Sequence, residues 1–394
     1  MLRSAPDFRR LFLATLGSGA GTYLAAVALT VDVFDRTRSG TWVSALLIAD
    51  FLPIILIGLL LGPLVDRFSR RGMLIASDLV RAAVFCALPF ADNPGAIVAL
   101  AAVAGIAAGF FRPAVYAGMP NLVDDEQLPE ATSLLHTVEN LAWMIGPVVG
   151  GLLIAANGPT LAYVANALTF IVSAALLARI PAARLQAGRA ESRGHWRDLG
   201  DGFRVVVQSR VLVAVLLVWS LVLVGNAGIN VAEVVLAKVP LDSGDIGFGF
   251  LVGAGGLGLT LGSLVASTAV ERLGIRRVYW FGIALMAIGY GVAAVAPTIL
   301  LAVPAVVVAS AGNGAAVVCN ALYIQRGAPD ALRGRVFTVI MSSTYAMLGI
   351  GMIVAGPLTD AVGARWVWGA AAGVYLAAAV LAVALVPRDR EVVT

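Results

Sequence analysis

Charge is scarce in this chain. Of its 394 residues, 13% are charged and 60% are hydrophobic, whereas soluble domains have about a quarter charged residues and about half apolar ones. So few charges exclude an ordinary soluble globular protein. With a mean hydropathy of +0.93, the composition indicates an integral membrane protein.

Cysteine and histidine are also scarce, with two of each. Cys86 and Cys319 fall in apolar segments, so we expect two buried free thiols, no disulfide framework and no metal site. His136 and His195 do not form an H-E-x-x-H motif, and neither G-x-S-x-G nor a phosphate-binding loop G-x-x-x-x-G-K-[ST] is present. We therefore expect neither an enzyme nor a cofactor, and ATP is disfavoured as an energy source.

Long apolar runs dominate what is present. A hydrocarbon core about 30 Å thick needs about 20 apolar residues per helix, and these runs lack the alternation of membrane strands. The sequence therefore predicts an all-α integral membrane protein. Twelve transmembrane helices are expected at approximately 11–34, 41–64, 72–91, 95–118, 131–156, 159–179, 211–236, 246–270, 277–296, 299–325, 335–357 and 364–386.

The spans fall into two sets of six. Residues 1–180 are predicted to form an N-terminal bundle, 181–210 a cytoplasmic linker, and 211–394 a C-terminal bundle. A shift of 200 residues aligns GPLV at Gly62 with GSLV at Gly262, and PEA with PDA in the same way. These matches favour two pseudo-symmetric six-helix bundles. In transporters that are built from two such halves, the substrate path usually lies between them.

The linker contains a possible amphipathic helix. Five apolar residues fit one face of a helix on the inner membrane surface, and a plain tether is the alternative. They are Trp196, Leu199, Phe203, Val206 and Val207.

Basic residues predict the orientation. With the amino terminus inside, 21 of the 27 basic residues fall in inner loops and four in outer loops, as cytoplasmic enrichment requires. We expect both termini to be cytoplasmic and see no need for a nucleic-acid partner. One lysine against 26 arginines, with abundant alanine and valine, suggests a GC-rich bacterium and its plasma (inner) membrane.

A charged turn, GPLVDRFSRR, separates the second and third spans. Gly62 permits close helix packing, and Asp66 can lie against a helix amino terminus or an arginine. Arg67, Arg70 and Arg71 can bridge other cytoplasmic elements. We interpret this turn as a conformational latch between the halves. Anchoring by positive charge is the alternative, which explains neither Asp66 nor Gly62.

This turn resembles the G-x-L-x-D-R-x-x-R-R loop signature of the major facilitator superfamily, with Ser69 at the position of its usual glycine. FFRPAVYAGMPNLV (110–123) and NLAWMIGPVVGGLL (140–153) are similar to segments of its twelve-span proton-driven drug and siderophore exporters, of the multidrug or macrolide type. The resemblance covers nearly the whole chain and implies the major facilitator fold.

GPVVGG in the fifth span looks like the antiporter motif of that family. Pro147 removes an amide and bends the helix, while Gly146, Gly150 and Gly151 let another backbone approach. Such a helix can close one side of a cavity. Ordinary helix packing is the alternative.

Two carboxylates lie near the predicted midplane. Asp50 is roughly 13 Å from the outer face and Glu139 about 12 Å from the inner face. Charges inside a bilayer are costly and tend to mark pathways, and a carboxylate in a partly dry cavity binds its proton more tightly. We interpret both as proton-coupling candidates, with a static paired group as the alternative. His136, one turn before Glu139, is a third candidate, or a polar residue near the inner mouth.

Other charges in the spans have simpler interpretations. Arg112 is expected to pair with Asp66 or with a mobile carboxylate, and in the resembled family a basic residue in this span is tied to proton coupling. Asp78 and Arg81, three residues apart, are predicted to form a structural ion pair. Asp32 falls near an outer end, where solvation would account for it.

The expected function is secondary active transport. We predict a monomeric, proton-coupled antiporter that exports small amphiphilic organic compounds, drugs or secondary metabolites, through the lipid bilayer by alternating access. A facilitator or importer of a small solute shares the fold, and a membrane receptor or enzyme is a more distant alternative. Candidate residues of the substrate cavity, each with packing as the alternative role, are Tyr23, Trp143, Trp219, Asn226, Asn230, Asn320 and Tyr345.

Overall fold

The computed structural model describes residues 5–60, 68–186 and 195–386. Fourteen α-helices occur within these ranges, and no strand does. Twelve of them, α1–α6 and α9–α14, are long and apolar enough to cross a membrane, which confirms the predicted number of spans. The helices are α1 Pro6–Thr37, α2 Gly40–Leu60, α3 Arg70–Ala87, α4 Pro94–Gly118, α5 Leu128–Asn157, α6 Pro159–Ala178, α7 Ala182–Leu185, α8 His195–Gln208, α9 Arg210–Lys238, α10 Gly244–Leu273, α11 Ile275–Val295, α12 Ile299–Gly327, α13 Arg333–Val362 and α14 Ala364–Leu385.

In three places a single glycine connects one span to the next. Gly158, Gly274 and Gly363 have φ angles of 71°, 83° and 85° and separate α5 from α6, α10 from α11 and α13 from α14. Residues other than glycine rarely adopt positive φ angles of this size. These three connections can therefore be one residue long.

The chain divides into two compact units. Unit 1 comprises the described residues within Met1–Arg38 and Ala45–Ser192, and unit 2 those within Ser39–Ser44 and Arg193–Thr394. Unit 1 therefore holds α1, α3 to α7 and most of α2. Unit 2 holds α8 to α14 and the beginning of α2.

The segment that follows α6 packs against the amino-terminal end of α1 in unit 1. Leu185 is fully buried in a core with Phe8, Leu11 and Leu135. The buried Asp7 carboxylate is 2.8 Å from the Arg184 guanidinium. Because apolar burial and charge pairing act on the same short segment, α7 is fixed to the amino-terminal end of α1.

A buried ion pair fixes α3 inside unit 1. The Arg81 guanidinium is 2.6 Å from the Asp78 carboxylate, and the two side chains are 8% and 0% exposed. The guanidinium also lies 4.5 Å from the ring centre of Phe111 and 4.2 Å from that of Phe170. These contacts confirm the predicted pair and add a cation–π sandwich around it.

Two expectations about single residues were wrong. Asp32 is buried, and its carboxylate has polar partners there. It lies 2.7 Å from Arg36 Nε and accepts a hydrogen bond of 2.9 Å from the Tyr163 hydroxyl. Cys86 is exposed on the surface of the unit, whereas Cys319 is buried as expected. An apolar segment of a membrane protein has a lipid-facing side, so apolar sequence alone does not imply burial.

A helix, α8, occurs in the predicted linker, and its position on the inner membrane surface stays a prediction. In α8, Phe203 and Val207 are each 59% exposed, whereas Val206 is 1% exposed. A helix turns by about 100° per residue, so Val206 faces unit 2 instead. Asp201 accepts a 3.0 Å hydrogen bond from Arg335 of α13. The side chains of Trp196 and Leu199 lie outside the described part.

Candidate functional site

Helices α4 and α5 bring four polar side chains together in unit 1. Arg112 and Tyr116 lie one turn apart on α4, and His136 and Glu139 lie nearly one turn apart on α5. Residues three or four positions apart share a helix face. Each helix therefore contributes two neighbouring polar groups to one cluster.

One carboxylate oxygen is the centre of this cluster. Arg112 Nη2 donates to Glu139 Oε2 at 3.0 Å, and the Tyr116 hydroxyl donates to the same oxygen at 3.2 Å. His136 Nδ1 lies 3.3 Å from the Tyr116 hydroxyl and 3.7 Å from Glu139 Oε2. The sequence left the partner of Arg112 open between Asp66 and a mobile carboxylate, and the structure places it on Glu139.

The cluster is accessible although it lies within the spans. The side chains of Arg112 and Glu139 are 63% and 23% exposed. Glu139 is the twelfth residue of α5, about 16 Å along the helix from its start. The Glu139 carboxylate is therefore partly exposed while it keeps its two hydrogen-bond donors.

The antiporter-like motif places α1 beside the cluster. A Cβ atom on Gly146 would lie 2.8 Å from Tyr23 Cβ, and one on Gly150 would lie 2.6 Å from Leu24 O. Tyr23 is near enough to Arg112 and Glu139 for electrostatic interaction with both. Close packing of α5 on α1 therefore sets the distance between Tyr23 and the cluster. Pro147 and Gly151 are buried in the same helix.

Asp50 lies outside this cluster. It is an exposed residue of α2, and its carboxylate interacts electrostatically with Arg81, which already pairs with Asp78. No hydrogen bond or ion pair of Asp50 occurs within the described ranges. The two midplane candidates therefore have different surroundings, and Glu139 alone of the two has a full set of polar partners.

The predicted latch is only partly described. Gly62, Asp66 and Arg67 lie outside the described residues. Arg70 donates to the carbonyl oxygens of Ala117 and Leu185 at 3.0 and 3.2 Å, and Arg71 donates to that of Ala178. These contacts tie α3 to the ends of α4, α6 and α7 within unit 1. A role between the halves stays a prediction.

The predicted cavity residues have different degrees of burial. Trp219 and Asn320 are buried in unit 2, where Asn320 accepts a 3.4 Å hydrogen bond from Tyr279, so a ligand cannot reach either side chain in this conformation. Asn226 accepts a 2.7 Å hydrogen bond from Tyr375. Asn230, one turn further along α9, is exposed. The remaining candidates, Tyr23, Trp143 and Tyr345, are half-buried.

Similarity to known proteins decides the family. Residues 3–392 match the family described as transmembrane secretion effector. The chain belongs to this family. This family is a branch of the major facilitator superfamily, and the protein is therefore a multi-pass membrane transporter rather than an enzyme.

Characterised relatives and a solved fold agree with this membership. The multidrug efflux pump Tap of Mycolicibacterium fortuitum is 30% identical over 403 residues, covering 97% of this chain and 96% of Tap. Macrolide efflux protein A of Streptococcus pyogenes is 27% identical over 207 residues, 50% of each chain. The crystal structure of the nucleoside transporter NupG has a TM-score of 0.78 at 15% identity, covering 97% of this chain and 100% of NupG. That last likeness shows the fold alone.

Sequence reasoning missed one member of the cluster. Tyr116 donates to Glu139, but it was not among the residues predicted to form the site. The available signal was its spacing, since Tyr116 lies one turn from Arg112 as His136 lies nearly one turn from Glu139. Two such polar pairs on consecutive spans indicate a shared contact.

Proposed function

We propose that this protein exports small amphiphilic organic compounds, drugs among them, in exchange for protons. Two relatives support the export of such compounds, because they are named as a multidrug efflux pump and a macrolide efflux protein. The first of these covers nearly the whole chain. The proposed transport cycle is alternating access of two six-helix bundles around a site open to one side of the membrane at a time.

One observation supports proton coupling above the others: Arg112 and Tyr116 both donate to the same carboxylate oxygen of Glu139. An ionised Glu139 holds Arg112 and Tyr116 through one atom. When Glu139 takes a proton from water on one side, its negative charge is lost and the ion pair with Arg112 weakens. When the proton leaves to the other side, the pair forms again. The charge on Arg112 is thus free only while Glu139 carries a proton.

The neighbours of Glu139 support this exchange in different ways. Arg112 stabilises the ionised state, and Tyr116 orients the accepting oxygen. His136 is exposed and close to both, so it is placed to pass the proton to water. Tyr23 and the glycines of the antiporter-like motif hold α1 against the cluster. A shift of α1 relative to α5 would change water access to Glu139.

Several expectations from the sequence belong to the same proposal. The transporter acts as a monomer in a bacterial plasma membrane with both termini in the cytoplasm. The turn from Gly62 to Arg71 serves as its inner latch. The accessible amide of Asn230 and the half-buried rings of Trp143 and Tyr345 contact the substrate.

Proton flux in proteoliposomes tests the proposal directly. Adding erythromycin or ethidium to liposomes with an internal pH dye is expected to drive proton movement in the parent, and Glu139→Gln is expected to abolish it. Glu130→Gln is the matched control, because Glu130 is an exposed residue in the first turn of the same helix. Unchanged flux in both Glu139→Gln and Asp50→Asn would reject these residues as proton carriers. Substrate efflux that continues after the pH gradient is collapsed would indicate a facilitator.

A further inference from the structure

An apolar groove lies on the surface of unit 2 where α10, α11 and α12 meet. It has a volume of about 320 Å³ and extends along α10 from Leu261 to Leu273, which is about 18 Å of helix. Leu273 is the last residue of α10. One lipid leaflet supplies half of a hydrocarbon core roughly 30 Å thick. The groove therefore begins at one end of a span and is about as long as one leaflet is deep.

Glycines form part of the floor of this groove. A Cβ atom on Gly262 would overlap the carbonyl group of Ala311, and one on Gly282 would lie 2.7 Å from Gly312 O. The three helices approach this closely because these positions carry no side chain. Phe281, which also lines the groove, is exposed. Within the described residues the lining consists of apolar side chains and glycines, which suits a hydrocarbon chain rather than a polar solute.

Three arginines lie at the end of the spans where the groove begins. Gly274 alone separates α10 from α11, so Arg272 in the last turn of α10 lies at the same end as Arg276 and Arg277 in the first turn of α11. Arg276 donates to the Val383 carbonyl of α14. Arg272 and Arg277 are exposed, and within the described residues neither forms an ion pair or a side-chain hydrogen bond.

Both of these exposed arginines are next to the groove in the chain. Arg272 precedes Leu273 and Arg277 precedes Val278, and the two apolar residues line the groove. Glu271 is an exposed carboxylate in the same turn. Three arginines and one glutamate leave residues 271–277 with a net charge of +2. This charge favours a ligand whose polar end is anionic and whose other end is apolar.

We propose that this groove binds an anionic phospholipid, with one acyl chain along α10 and the headgroup phosphate at Arg272 and Arg277. Arginine binds phosphate through several N–H donors in a planar group. Basic residues between spans at the cytoplasmic side are suited to anionic headgroups, and this end of the spans is predicted to be cytoplasmic. A bilayer supplies such a ligand at this depth. The proposal does not depend on the transported substrate or on proton coupling.

A groove in unit 1 provides an internal comparison. It also has a volume of about 320 Å³ and lies between α3 and α4, where Ala76 forms part of its lining. At the beginning of α3, Arg70 and Arg71 donate to backbone carbonyl oxygens of unit 1. Those two arginines already have acceptors in the protein, whereas Arg272 and Arg277 have none within the described residues. We therefore expect substitutions in the unit 2 groove to have the larger effect on binding of an anionic lipid.

Native mass spectrometry of the purified, delipidated protein in detergent tests the headgroup contact. The protein is titrated with dioleoyl phosphatidylglycerol and, separately, with dioleoyl phosphatidylcholine. Each basic residue near an anionic headgroup strengthens binding about fivefold. The first phosphatidylglycerol should therefore bind about thirtyfold more tightly than phosphatidylcholine, and the double variant Arg272→Gln, Arg277→Gln should lose this preference. The double variant Arg9→Gln, Arg179→Gln is the matched control, because it removes two exposed arginines from unit 1.

Filling the groove tests the acyl-chain contact without changing charge. Ala269→Phe places a ring among the lining residues of unit 2 and should weaken phosphatidylglycerol binding about tenfold, the effect of displacing about two methylene groups. Ala76→Phe makes the same change in the groove of unit 1 and should leave the first binding event unchanged. Glycerol 3-phosphate, the headgroup chemistry without chains, should compete poorly. Thermal unfolding and gel filtration identify any variant that does not fold, and the arginine variants then decide the result alone.

Several outcomes would overturn the proposal, whether or not drug export is confirmed. Equal affinity for the two lipids in the parent would show ordinary solvation by lipid. Equal loss of affinity in the two double arginine variants would show a general response to net charge. Competition by glycerol 3-phosphate as strong as that by phosphatidylglycerol would show a site for a free anion. A selective loss in the variants of residues 269, 272 and 277 would establish the lipid site even if the protein proves to be a facilitator.

Discussion

Two of the arginine–carboxylate pairs in unit 1 have the same chemistry and opposite surroundings. Asp78 and Arg81 are 0% and 8% exposed, and aromatic rings flank the guanidinium. Glu139 and Arg112 are 23% and 63% exposed. A buried pair cannot lose one charge without leaving the other uncompensated. An accessible pair can, because water stabilises the partner that is released. The second pair is therefore suited to proton exchange and the first to holding the fold.

Breaking the buried pair should have the largest effect on stability. Asp78→Ala leaves Arg81 charged between Phe111 and Phe170 and is expected to cost about 3–5 kcal/mol of unfolding free energy. Glu139→Gln, in the accessible pair, should cost less than about 1 kcal/mol. Chemical denaturation of the purified protein in detergent measures both. Equal losses in the two variants would remove the distinction between the pairs.

Exchange of arginine for lysine sharpens the comparison. Arg81→Lys keeps the charge but loses the planar group between the two rings, and should cost about 2 kcal/mol. Arg112→Lys should leave stability nearly unchanged, because its guanidinium makes one hydrogen bond to Glu139 and is largely exposed. Thermal unfolding of the two variants in parallel provides the measurement. A larger loss at Arg112 would contradict the assignment.

Loss of the accessible cation should impair coupled efflux rather than stability. Arg112→Gln removes the ion pair with Glu139 but leaves both positions partly exposed, so the free energy of unfolding should change by less than about 1 kcal/mol. Coupled ethidium efflux from inverted vesicles should fall about tenfold, the effect of losing one charge-assisted hydrogen bond. Parent-like efflux in Arg112→Gln would show that Arg112 does not act on the proton-carrying group.

The smallest effect is expected at the hydroxyl group of the cluster. Tyr116→Phe removes one hydrogen bond to Glu139 and keeps the ring, which should reduce the efflux rate about threefold without loss of coupling. The same efflux assay measures the rate. Tyr163→Phe is a suitable control, because its hydroxyl binds the buried Asp32 elsewhere in unit 1. A complete loss of coupling in Tyr116→Phe would place the proton on the tyrosine.

Much of the fold was predictable because the bilayer restricts the alternatives. Twelve long apolar runs permit few structures other than twelve helices. The ends were less predictable. The first span was placed at 11–34, whereas α1 extends over Pro6–Thr37, since a helix can continue into water beyond its apolar part.

Contacts along one helix were predicted more readily than contacts between helices. The spacing of three residues was enough to pair Asp78 with Arg81. Arg112 and Glu139 are 27 positions apart, so their contact depends on how α4 and α5 rotate and pack. The hydrogen bond from Tyr163 to Asp32 joins residues 131 positions apart, and no local pattern indicates it. Local sequence periodicity does not determine which helices become neighbours.

The most direct test of the central claim is substrate-induced proton release from the purified transporter in weakly buffered detergent solution. Binding of erythromycin or ethidium should release protons from the parent protein, because Glu139 must lose its proton as substrate binds. Glu139→Gln should release none, and Asp50→Asn should behave like the parent. Release that persists in Glu139→Gln and disappears in Asp50→Asn would contradict the account and move the exchange to the second span.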